Sequence, residues 1–528
     1  MRPARGDPIE PGTLMALAAM GLAVLVIAID FSALSVALPS IQDDLNADVA
    51  SVQWVMSAYA LVFGVFIVTA GRLADVFGRR RIFFTGAAVF ATFSAAGGAA
   101  QDNWWLVAAR ALMGIGGAMM WPAILGMTYA ALGGTRAALA GALVIGVAGI
   151  GNACGPLLGG LLIHTASWRG ILFLNLPIAV LACLVTWATI RPPPSAPHRE
   201  RMDYAGILTL SLALVLLLLV LDQGNDWGFG DVRIALLIGG FAMFTAAFVA
   251  VERRTGEHAL VPSDVLRNRE FAGASLAIVL LSGSSFAAPI YLPVLLRELL
   301  GYGALAAGAA LFPLMAVAAV SSFVSGPLYA RFRPKLVTAA GAGAMAIGML
   351  LLAATVGASR YPPLVPGMAL LGLGIGLFVS AATTAGVTAL GPARRSLAGG
   401  ILYMFQLVGG SVGLALTTAI FTAASEARVH EDRLAGLLSE GEEQALIGLL
   451  ANTGFAEQIV ERFPGRAARL ESLARDAFVS GIETSFAVVA MLALAGLLVT
   501  ALWVGGRRRS PVAEPLRAAR RLGSGHRS

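Results

Sequence analysis

The chain of 528 residues is 58% hydrophobic and only 13% charged, and its mean hydropathy is +0.80. Soluble globular proteins carry about 25% charged residues, so this composition excludes a soluble domain and indicates a polytopic membrane protein. The net charge of +7 does not indicate nucleic-acid binding, because the arginines lie in short segments between apolar runs rather than on one face.

The chain contains fourteen apolar runs long enough for transmembrane helices, which need about 20 residues each. The predicted fold class is therefore an all-α polytopic membrane protein. The even number of spans places both termini on the same side. In chain order, the spans are predicted at 14–38, 52–70, 82–100, 105–130, 138–163, 170–190, 204–222, 233–251, 271–296, 305–329, 336–356, 363–390, 398–423 and 478–504.

The distribution of basic residues predicts that both termini are cytoplasmic. In that orientation the inner segments hold most of the arginines, whereas the short outer loops carry mainly aspartates. The one long outer loop, 424–477, carries both signs. Its stretch from Phe455 to Phe478 has helical apolar spacing and is predicted to form a helical hairpin broken at Pro464. We favour a loop that covers the outer face over one with a dedicated role.

The first span contains a carboxylate, Asp30, about sixteen residues from its start. No other acid lies as far inside a span, and Glu483 in the last span is shallower. An ionisable residue inside a membrane is expensive and is by default a functional candidate. Burial favours the protonated form and a nearby cation favours the ionised form, so Asp30 is a candidate proton carrier. The alternative is a buried polar residue that serves packing alone.

The loop after the second span reads GRLADVFGRRR. Gly71 and Gly78 permit a tight reversal and a close approach of helices. Asp75 can accept hydrogen bonds from a helix N-terminus or from Arg79. Together with Arg80, these residues are candidates for functional contacts at the cytoplasmic side. The alternative is that the arginines only hold the loop inside.

The fourth span contains Arg110, about five residues from its outer end. An unpaired arginine at a helix centre costs about 2.5–3.5 kcal/mol, so either a buried partner or snorkelling to the outer interface is expected. The same span offers soft or aromatic side chains for a substrate, of which Met113 and Trp121 are the candidates. The thirteenth span offers two further candidates, Phe405 and Gln406. At each single position core packing is the favoured alternative.

The fifth span reads GNACGPLLGG from Gly151. Gly151, Gly155 and Gly159 are four residues apart and share one helix face, which lets another helix approach closely. Pro156 removes a backbone donor and predicts a kink. Tight packing without a kink-dependent role is the alternative.

The first six predicted spans and the last six are related by an internal repeat. LVAARALMGIGG at Leu106 matches LVPGMALLGLGI at Leu364, and the next span keeps the offset of 258. Two similar halves with a site between them are the plan of a transporter. The predicted domains are a six-helix bundle at 1–203, two inserted linker helices at 204–252, a second six-helix bundle at 253–504 that includes loop 424–477, and a basic cytoplasmic tail at 505–528.

The repeat fails at the chemically distinctive residues. Asp30 falls opposite Ser284 or Ser285, and Arg110 falls opposite Met368. Asp75 and Pro156 also lack counterparts. A feature present in one half only is a better candidate for coupling than one that both halves share.

Four motifs together resemble those of the major facilitator superfamily, and specifically its fourteen-helix drug:proton antiporters. GRLADVFGRRR is similar to the loop 2–3 signature, and GNACGPLLGG to the helix 5 antiporter motif. IDFSALSVALP resembles the helix 1 motif, and WRGILFLNLPIA the helix 5–6 signature. One departure bears on the site: Met113 stands where the helix 4 motif usually has glutamine.

The resemblance implies a major facilitator fold and proton-coupled export of hydrophobic or amphiphilic compounds, with a latch at Asp75, a seal against proton leak at Pro156, and Arg110 acting on the acid at Asp30. The implied partners are a small-molecule substrate, protons and the lipid bilayer, for a monomer in a bacterial cell membrane. The alternatives are an exporter dedicated to one endogenous metabolite and, less favoured, a sensor or a membrane enzyme. No P-loop, metal cluster or nucleophile triad occurs, so neither ATP nor a metal or cofactor is predicted.

Overall fold

The computed structural model describes residues 10–132, 136–190, 202–228, 230–256, 259–358, 360–450, 459, 462–463 and 465–504. These residues are almost entirely helical, and no strand occurs among them. The predicted tail at 505–528 lies outside the described residues.

Within the described residues, fourteen long helices, labelled α1 to α14, follow the fourteen predicted spans. Thirteen are long and apolar enough to cross a membrane by length and composition; the remaining one, α3, has 20 residues and begins with three arginines. The helices are α1 (Pro11–Leu45), α2 (Val49–Phe77), α3 (Arg79–Gly98), α4 (Asn103–Leu132), α5 (Ala137–Thr165), α6 (Arg169–Thr189), α7 (Tyr204–Trp227), α8 (Val232–Thr255), α9 (Arg269–Leu300), α10 (Phe312–Arg331), α11 (Pro334–Thr355), α12 (Leu364–Ala389), α13 (Arg395–Leu434) and α14 (Ala467–Trp503).

Local sequence explains where several helices begin and end. Asp48 accepts the Ser51 N–H at 2.8 Å and caps α2. Gly78 has a positive φ of 101° between α2 and α3, a conformation that favours glycine, and it thereby separates the two helices. Pro334 begins α11, where its missing N–H is not needed.

The segment 424–477, predicted as an outer loop with a helical hairpin, begins and ends inside the two neighbouring long helices. α13 continues to Leu434 and α14 begins at Ala467, so both ends of the segment are continuations of long helices. Between them lies a short helix, Glu440–Leu450. Hydropathy indicates which residues of a helix are apolar, but it does not indicate the residue at which the helix ends. Charged pairs such as Arg428–Glu431 support the helix beyond the apolar run. Pro464, the predicted break, lies outside the described residues.

The two halves repeat the same helix packing. α1 packs on α5 and α6, α2 on α4, and α3 on α4 and α6. In the second half α9 packs on α13 and α14, α10 on α12, and α11 on α12 and α14. α7 and α8 pack on each other, and α7 also contacts α2 and α13. This packing is what two six-helix bundles with an inserted pair require, and the exact domain boundaries stay a prediction.

The halves meet toward one end of the molecule, which we call the basic end because it carries Arg79, Arg136, Arg331 and Arg395. There α2 packs on α13, and α5 packs on α10 and α12. Glycines allow these close approaches: a Cβ on Gly71 would lie 2.7 Å from the Ser396 carbonyl oxygen. The structure therefore has the two halves joined at the basic end.

The predicted orientation has a direct test in cysteine labelling. On a background lacking Cys154 and Cys183, we expect an impermeant thiol reagent applied to whole cells to label Gln444→Cys and not Ser524→Cys. Gln444 is exposed on the short helix, and its side chain forms no hydrogen bond with another described residue. Ser439 is less suitable, because its backbone N–H and its hydroxyl both bind Glu442. Labelling of Ser524→Cys alone would contradict the orientation.

Candidate functional site

Asp30 on α1 and Arg110 on α4 form an ion pair inside the first half. The Asp30 Oδ2 and Arg110 Nη1 atoms are 2.5 Å apart, and both side chains are 0% exposed. The second oxygen, Oδ1, accepts a hydrogen bond from the Asn175 amide on α6 at 2.7 Å. Three helices therefore converge on this carboxylate, and both of its oxygens are occupied.

Arg110 is held by more than its carboxylate. Its Nε donates to the Val55 carbonyl on α2 at 3.2 Å, and its guanidinium lies 4.2 Å from the centre of the Tyr59 ring. Its Nη1 also lies 3.8 Å from the Met113 sulfur. The side chain does not snorkel to the outer interface. One nitrogen, Nη2, is buried without a hydrogen-bond partner among the described residues.

Sequence reasoning missed Asn175 as a partner of the ion pair. Its amide nitrogen also donates to the Ser94 hydroxyl at 3.0 Å, and that hydroxyl donates to the Leu172 carbonyl at 2.7 Å. This network fixes the amide that faces Asp30. The sequence signal that could have identified Asn175 is its position in the motif WRGILFLNLPIA. It is the one motif of the four for which the sequence alone indicates no functional residue.

The glycine face of α5 packs directly on the part of α1 that carries Asp30. A Cβ on Gly151 would lie 2.6 Å from the Ala28 Cβ, and one on Gly159 would lie 2.6 Å from the Ala33 carbonyl oxygen. Gly155 faces Ser32 even more closely. α5 runs without interruption through Pro156. The glycines therefore set the position of α1 on both sides of Asp30.

This packing predicts a strong difference between two adjacent glycines. We expect Gly159→Ala to lower transport tenfold or more, because the new methyl group would force the α1 backbone away and carry Asp30 with it. Gly160→Ala is the matched control: nothing lies within 4 Å of its added Cβ, and we expect transport within twofold of the wild type. Rates should be divided by the amount of protein in the membrane. Equal activity of the two variants would contradict the positioning role.

Asp75 joins the two halves at the basic end. Its Oδ2 accepts the backbone N–H of Leu397 at 2.8 Å, and its Oδ1 accepts that of Ser396 at 3.3 Å. Both N–H groups belong to the first turn of α13, where the helix dipole favours a negative charge. Arg79 donates to the same carboxylate from Nε at 3.1 Å and from Nη2 at 2.9 Å.

The other residues of this motif have separate tasks. Arg79 also donates to the Pro392 carbonyl at 2.7 Å, which lies in the second half. Gly71 allows the close approach to α13, and Gly78 makes the turn into α3. Arg80 does not contact the second half through its hydrogen bond, which goes to the Trp187 carbonyl at 3.2 Å at the end of α6.

Two further contacts across the halves were not expected from the sequence. Arg395 donates from Nη1 to the Tyr129 carbonyl at 2.8 Å. The Tyr129 hydroxyl lies 3.1 Å from the Thr384 hydroxyl, again across the halves. Tyr129 is fully buried. No local pattern distinguishes these residues, since their partners lie more than 250 positions away.

The predicted substrate-lining residues divide into two groups. Trp121 and Gln406 line a cavity between the halves, together with Leu125, Ile145, Thr383, Gly399, Leu402 and Tyr403. Met113 does not line this cavity; it is fully buried against Arg110. Phe405 is half-buried in α13 and is also not among the lining residues.

Comparisons with known proteins agree with this architecture. The sequence model described as Major Facilitator Superfamily matches residues 20–414. The chain is 32% identical over 496 residues to the tetracenomycin C resistance and export protein of Streptomyces glaucescens, covering 92% of this chain and 90% of that protein. It is 34% identical over 432 residues to the puromycin resistance protein pur8 of Streptomyces alboniger, covering 79% and 84%. Among solved structures, the human organic anion transporter MFSD10 has a similar fold, with a TM-score of 0.60 and 14% identity over 93% of this chain and 100% of that one.

Proposed function

The chain belongs to the Major Facilitator Superfamily, and we propose that it is a proton-coupled exporter of hydrophobic or amphiphilic compounds such as drugs and antibiotics. Its relatives are resistance and export proteins, which supports a transporter rather than an enzyme. They are named for chemically different antibiotics, which does not favour export of one endogenous metabolite. The observation that carries the proton-coupled mechanism is the buried pair of Asp30 and Arg110.

Protonation of Asp30 changes the energy of this arrangement. In the ionised form, the carboxylate is bound by Arg110 and Asn175. Protonation removes the charge and leaves the guanidinium without a counter-ion in a buried site. Breaking a buried pair in this way costs about 3–5 kcal/mol. The protonated protein therefore favours a different arrangement of α1 and α4. Proton binding at Asp30 is in this way coupled to a change of conformation.

The helices that carry the pair also reach the contacts between the halves. α1 packs on α5, and α5 packs on α10 and α12. α4 packs on α13, and its Trp121 ring lies 4.5 Å from the Tyr403 ring, centre to centre. Displacement of α1 or α4 thus acts on the joined basic end, where the halves must separate for the other side of the membrane to gain access.

The proton gradient is large enough for this task. One charge moved through 100 mV is worth about 2.3 kcal/mol, and each 1.4 kcal/mol corresponds to about tenfold in concentration. One proton per exported molecule could thus hold a gradient of several tens-fold for a neutral compound. We further propose that this multi-pass protein works as a monomer in the bacterial cell membrane with both termini in the cytoplasm.

The test is transport by purified protein in proteoliposomes. Where the predicted cytoplasmic face points outward and the lumen is acidic, we expect a hydrophobic fluorescent probe such as Nile red to accumulate in the lumen. A protonophore should abolish the accumulation, and the probe should accelerate proton loss from the lumen. Accumulation that is unaffected by the protonophore, or no accumulation of any probe in a broad panel, would contradict proton-coupled export.

A further inference from the structure

Two acidic side chains meet at the predicted cytoplasmic end of the inserted helix pair. Asp203 precedes α7 and caps it, since its Oδ1 accepts the Gly206 N–H at 2.8 Å. Glu252 lies in the last turn of α8, beyond the predicted span 233–251. Because α7 and α8 pack on each other, the start of the first helix and the end of the second come together.

The surroundings of Gly206 show that the two carboxyl groups share one small space. A Cβ built on Gly206 would meet the Asp203 Oδ2 atom first and the Glu252 Oε1 atom at 3.2 Å. Both oxygens therefore lie beside the same point of the α7 backbone. Glycine, which has no side chain, leaves room for both of them.

The Asp203 Oδ2 atom is an acceptor without a donor. Asp203 is 7% exposed, and this oxygen is buried with no hydrogen-bond partner among the residues that the structure describes. A buried oxygen that accepts no hydrogen bond is rare in folded proteins and needs an explanation. A proton on Glu252 supplies one, because a protonated carboxyl group has an O–H that can donate to Asp203.

Glu252 is held by the chain segment that leads into the second half. Its Oε1 and Oε2 atoms accept the Val261 N–H at 3.2 and 3.3 Å. Val261 and its neighbour Leu260 are buried. One carboxyl group therefore joins the end of α8 to the segment before α9, and it does so directly beside Asp203.

The environment of Glu252 favours its protonated form. Burial is the largest effect and, together with the negative charge of Asp203, raises the pKa of the Glu252 carboxyl to about 7. The N–H groups of Val261 and Leu260 and the positive charge of Arg72 on α2 act in the opposite direction and are outweighed. Two carboxylates in one buried site repel each other, and such pairs share a proton for this reason.

The pair lies next to the contact between the two halves. Arg72 acts on Glu252 through its charge, and it directly follows Gly71, which packs against the first turn of α13. Arg253 and Arg254, which follow Glu252 in α8, are exposed, so water and salt screen their charges. A change in the charge of the pair therefore acts on an arginine at the basic end, where the halves join.

We propose that Asp203 and Glu252 form a second proton-binding site, in which the two carboxyl groups hold one proton between them at mildly acidic to neutral pH. The proton is carried by Glu252 and is donated to the Asp203 Oδ2 atom. The site lies on the predicted cytoplasmic side, so its occupancy follows the cytoplasmic pH. This inference goes beyond the proposed export function and does not depend on it, because neither Asp30 nor a substrate takes part.

A proton at this site stabilises the packing of the inserted pair. The pKa of Glu252 is raised from 4.5 to about 7 in the folded chain, so the folded state binds the proton more tightly than the unfolded state. The stabilisation is complete below the lower value and is lost as the pH rises from there through about 7. The pair is therefore weakest in an alkaline cytoplasm.

Infrared difference spectroscopy of the purified full-length protein detects the proton through the carbonyl stretch of a protonated carboxyl group. We expect a wild-type band that is present at about pH 6 and lost by about pH 8. Glu252→Gln and Asp203→Asn should each remove this band, because the new amide donates permanently to the remaining carboxylate. Asparagine caps helices as well as aspartate does, so α7 keeps its cap. A contribution from Asp30 is common to all three proteins.

Thermal unfolding of the same proteins tests the stabilisation. Glu252→Gln imitates the protonated side chain at every pH, so the unfolding temperature of the wild type should fall relative to that of Glu252→Gln between about pH 5 and about pH 8. Glu10→Gln is the matched control, because Glu10 is exposed before α1 and its side chain does not cap that helix. It should follow the wild type.

Three results would overturn the proposal: no band in the wild type at about pH 6, a band that persists in either Glu252→Gln or Asp203→Asn, or a difference in unfolding temperature that does not change with pH. Persistence in Asp203→Asn alone would assign the proton to an isolated Glu252 rather than to a pair. The wild-type band does not require any variant to fold. Neither measurement uses a substrate or a pH gradient, so both are independent of the test of export.

Discussion

Asp30→Asn is expected to abolish uphill, proton-driven export while substrate binding remains. Asparagine keeps the shape of the side chain and removes the group that takes up and releases a proton. In proteoliposomes the variant should show no accumulation of probe above equilibrium and no substrate-induced proton movement. We expect at least a hundredfold loss of coupled transport, since no described acid other than Asp30 contacts Arg110.

The variant also leaves the buried Arg110 without its carboxylate, which could lower the amount of folded protein. The double variant Asp30→Asn/Arg110→Gln removes the cation as well, and it should restore the amount of protein in the membrane without restoring coupling. Glu483→Gln is the matched control for an acid-to-amide change, because Glu483 is half-buried on α14 and distant in the sequence from the pair. It should transport normally.

Full proton-coupled export by Asp30→Asn would reject the mechanism. Glu483 would then become the next candidate for the proton site. Loss of transport in Glu483→Gln together with normal transport in Asp30→Asn would assign the proton to the second half of the chain.

The positions of the long helices could be predicted from the sequence because the signal is local. About 20 apolar residues identify a span without any knowledge of its neighbours. The same signal did not indicate that α13 and α14 continue as helices through 424–434 and 467–477, into charged sequence. Side-chain pairs such as Arg428–Glu431 and Arg475–Glu471 support the helices there, and hydropathy carries no information about such pairs.

The candidate site was only partly predictable, because its contacts are long-range. The sequence indicated that Asp75 would accept from a helix N-terminus, but it did not show that the helix begins at Arg395, 320 positions away. It identified Asp30 and Arg110 by their improbable charge in apolar spans. Asn175 and Tyr59 carry no such signal, since an amide or a phenol is unremarkable in a span, and only the folded structure brings them to the pair.

Asp75→Asn is expected to weaken the closure of the basic end and to lower transport severalfold or more. The carboxylate accepts hydrogen bonds from Leu397, Ser396 and Arg79. The asparagine side chain has one acceptor oxygen where the carboxylate has two. Its NH₂ group would face one of the N–H donors and could not accept a hydrogen bond from it. A hydrogen bond to a charged group is worth about 1.5–3 kcal/mol. Losing one such bond shifts the balance between closed and open states about tenfold or more.

The opening itself can be measured with a cysteine at the closed contact. Ser396 is 0% exposed, and its backbone N–H donates to Asp75, so Ser396→Cys keeps this backbone hydrogen bond. On the background without Cys154 and Cys183, we expect a permeant thiol reagent to label this cysteine several times faster when Asp75→Asn is added. Arg80→Gln is the matched control from the same motif, because Arg80 binds the Trp187 carbonyl within the first half. Unchanged labelling and normal turnover in Asp75→Asn would show that the charge at Asp75 is not needed to hold the halves together. The hydrogen bonds of Arg395 and Tyr129 and the close glycine contacts would then be sufficient to hold the closed state.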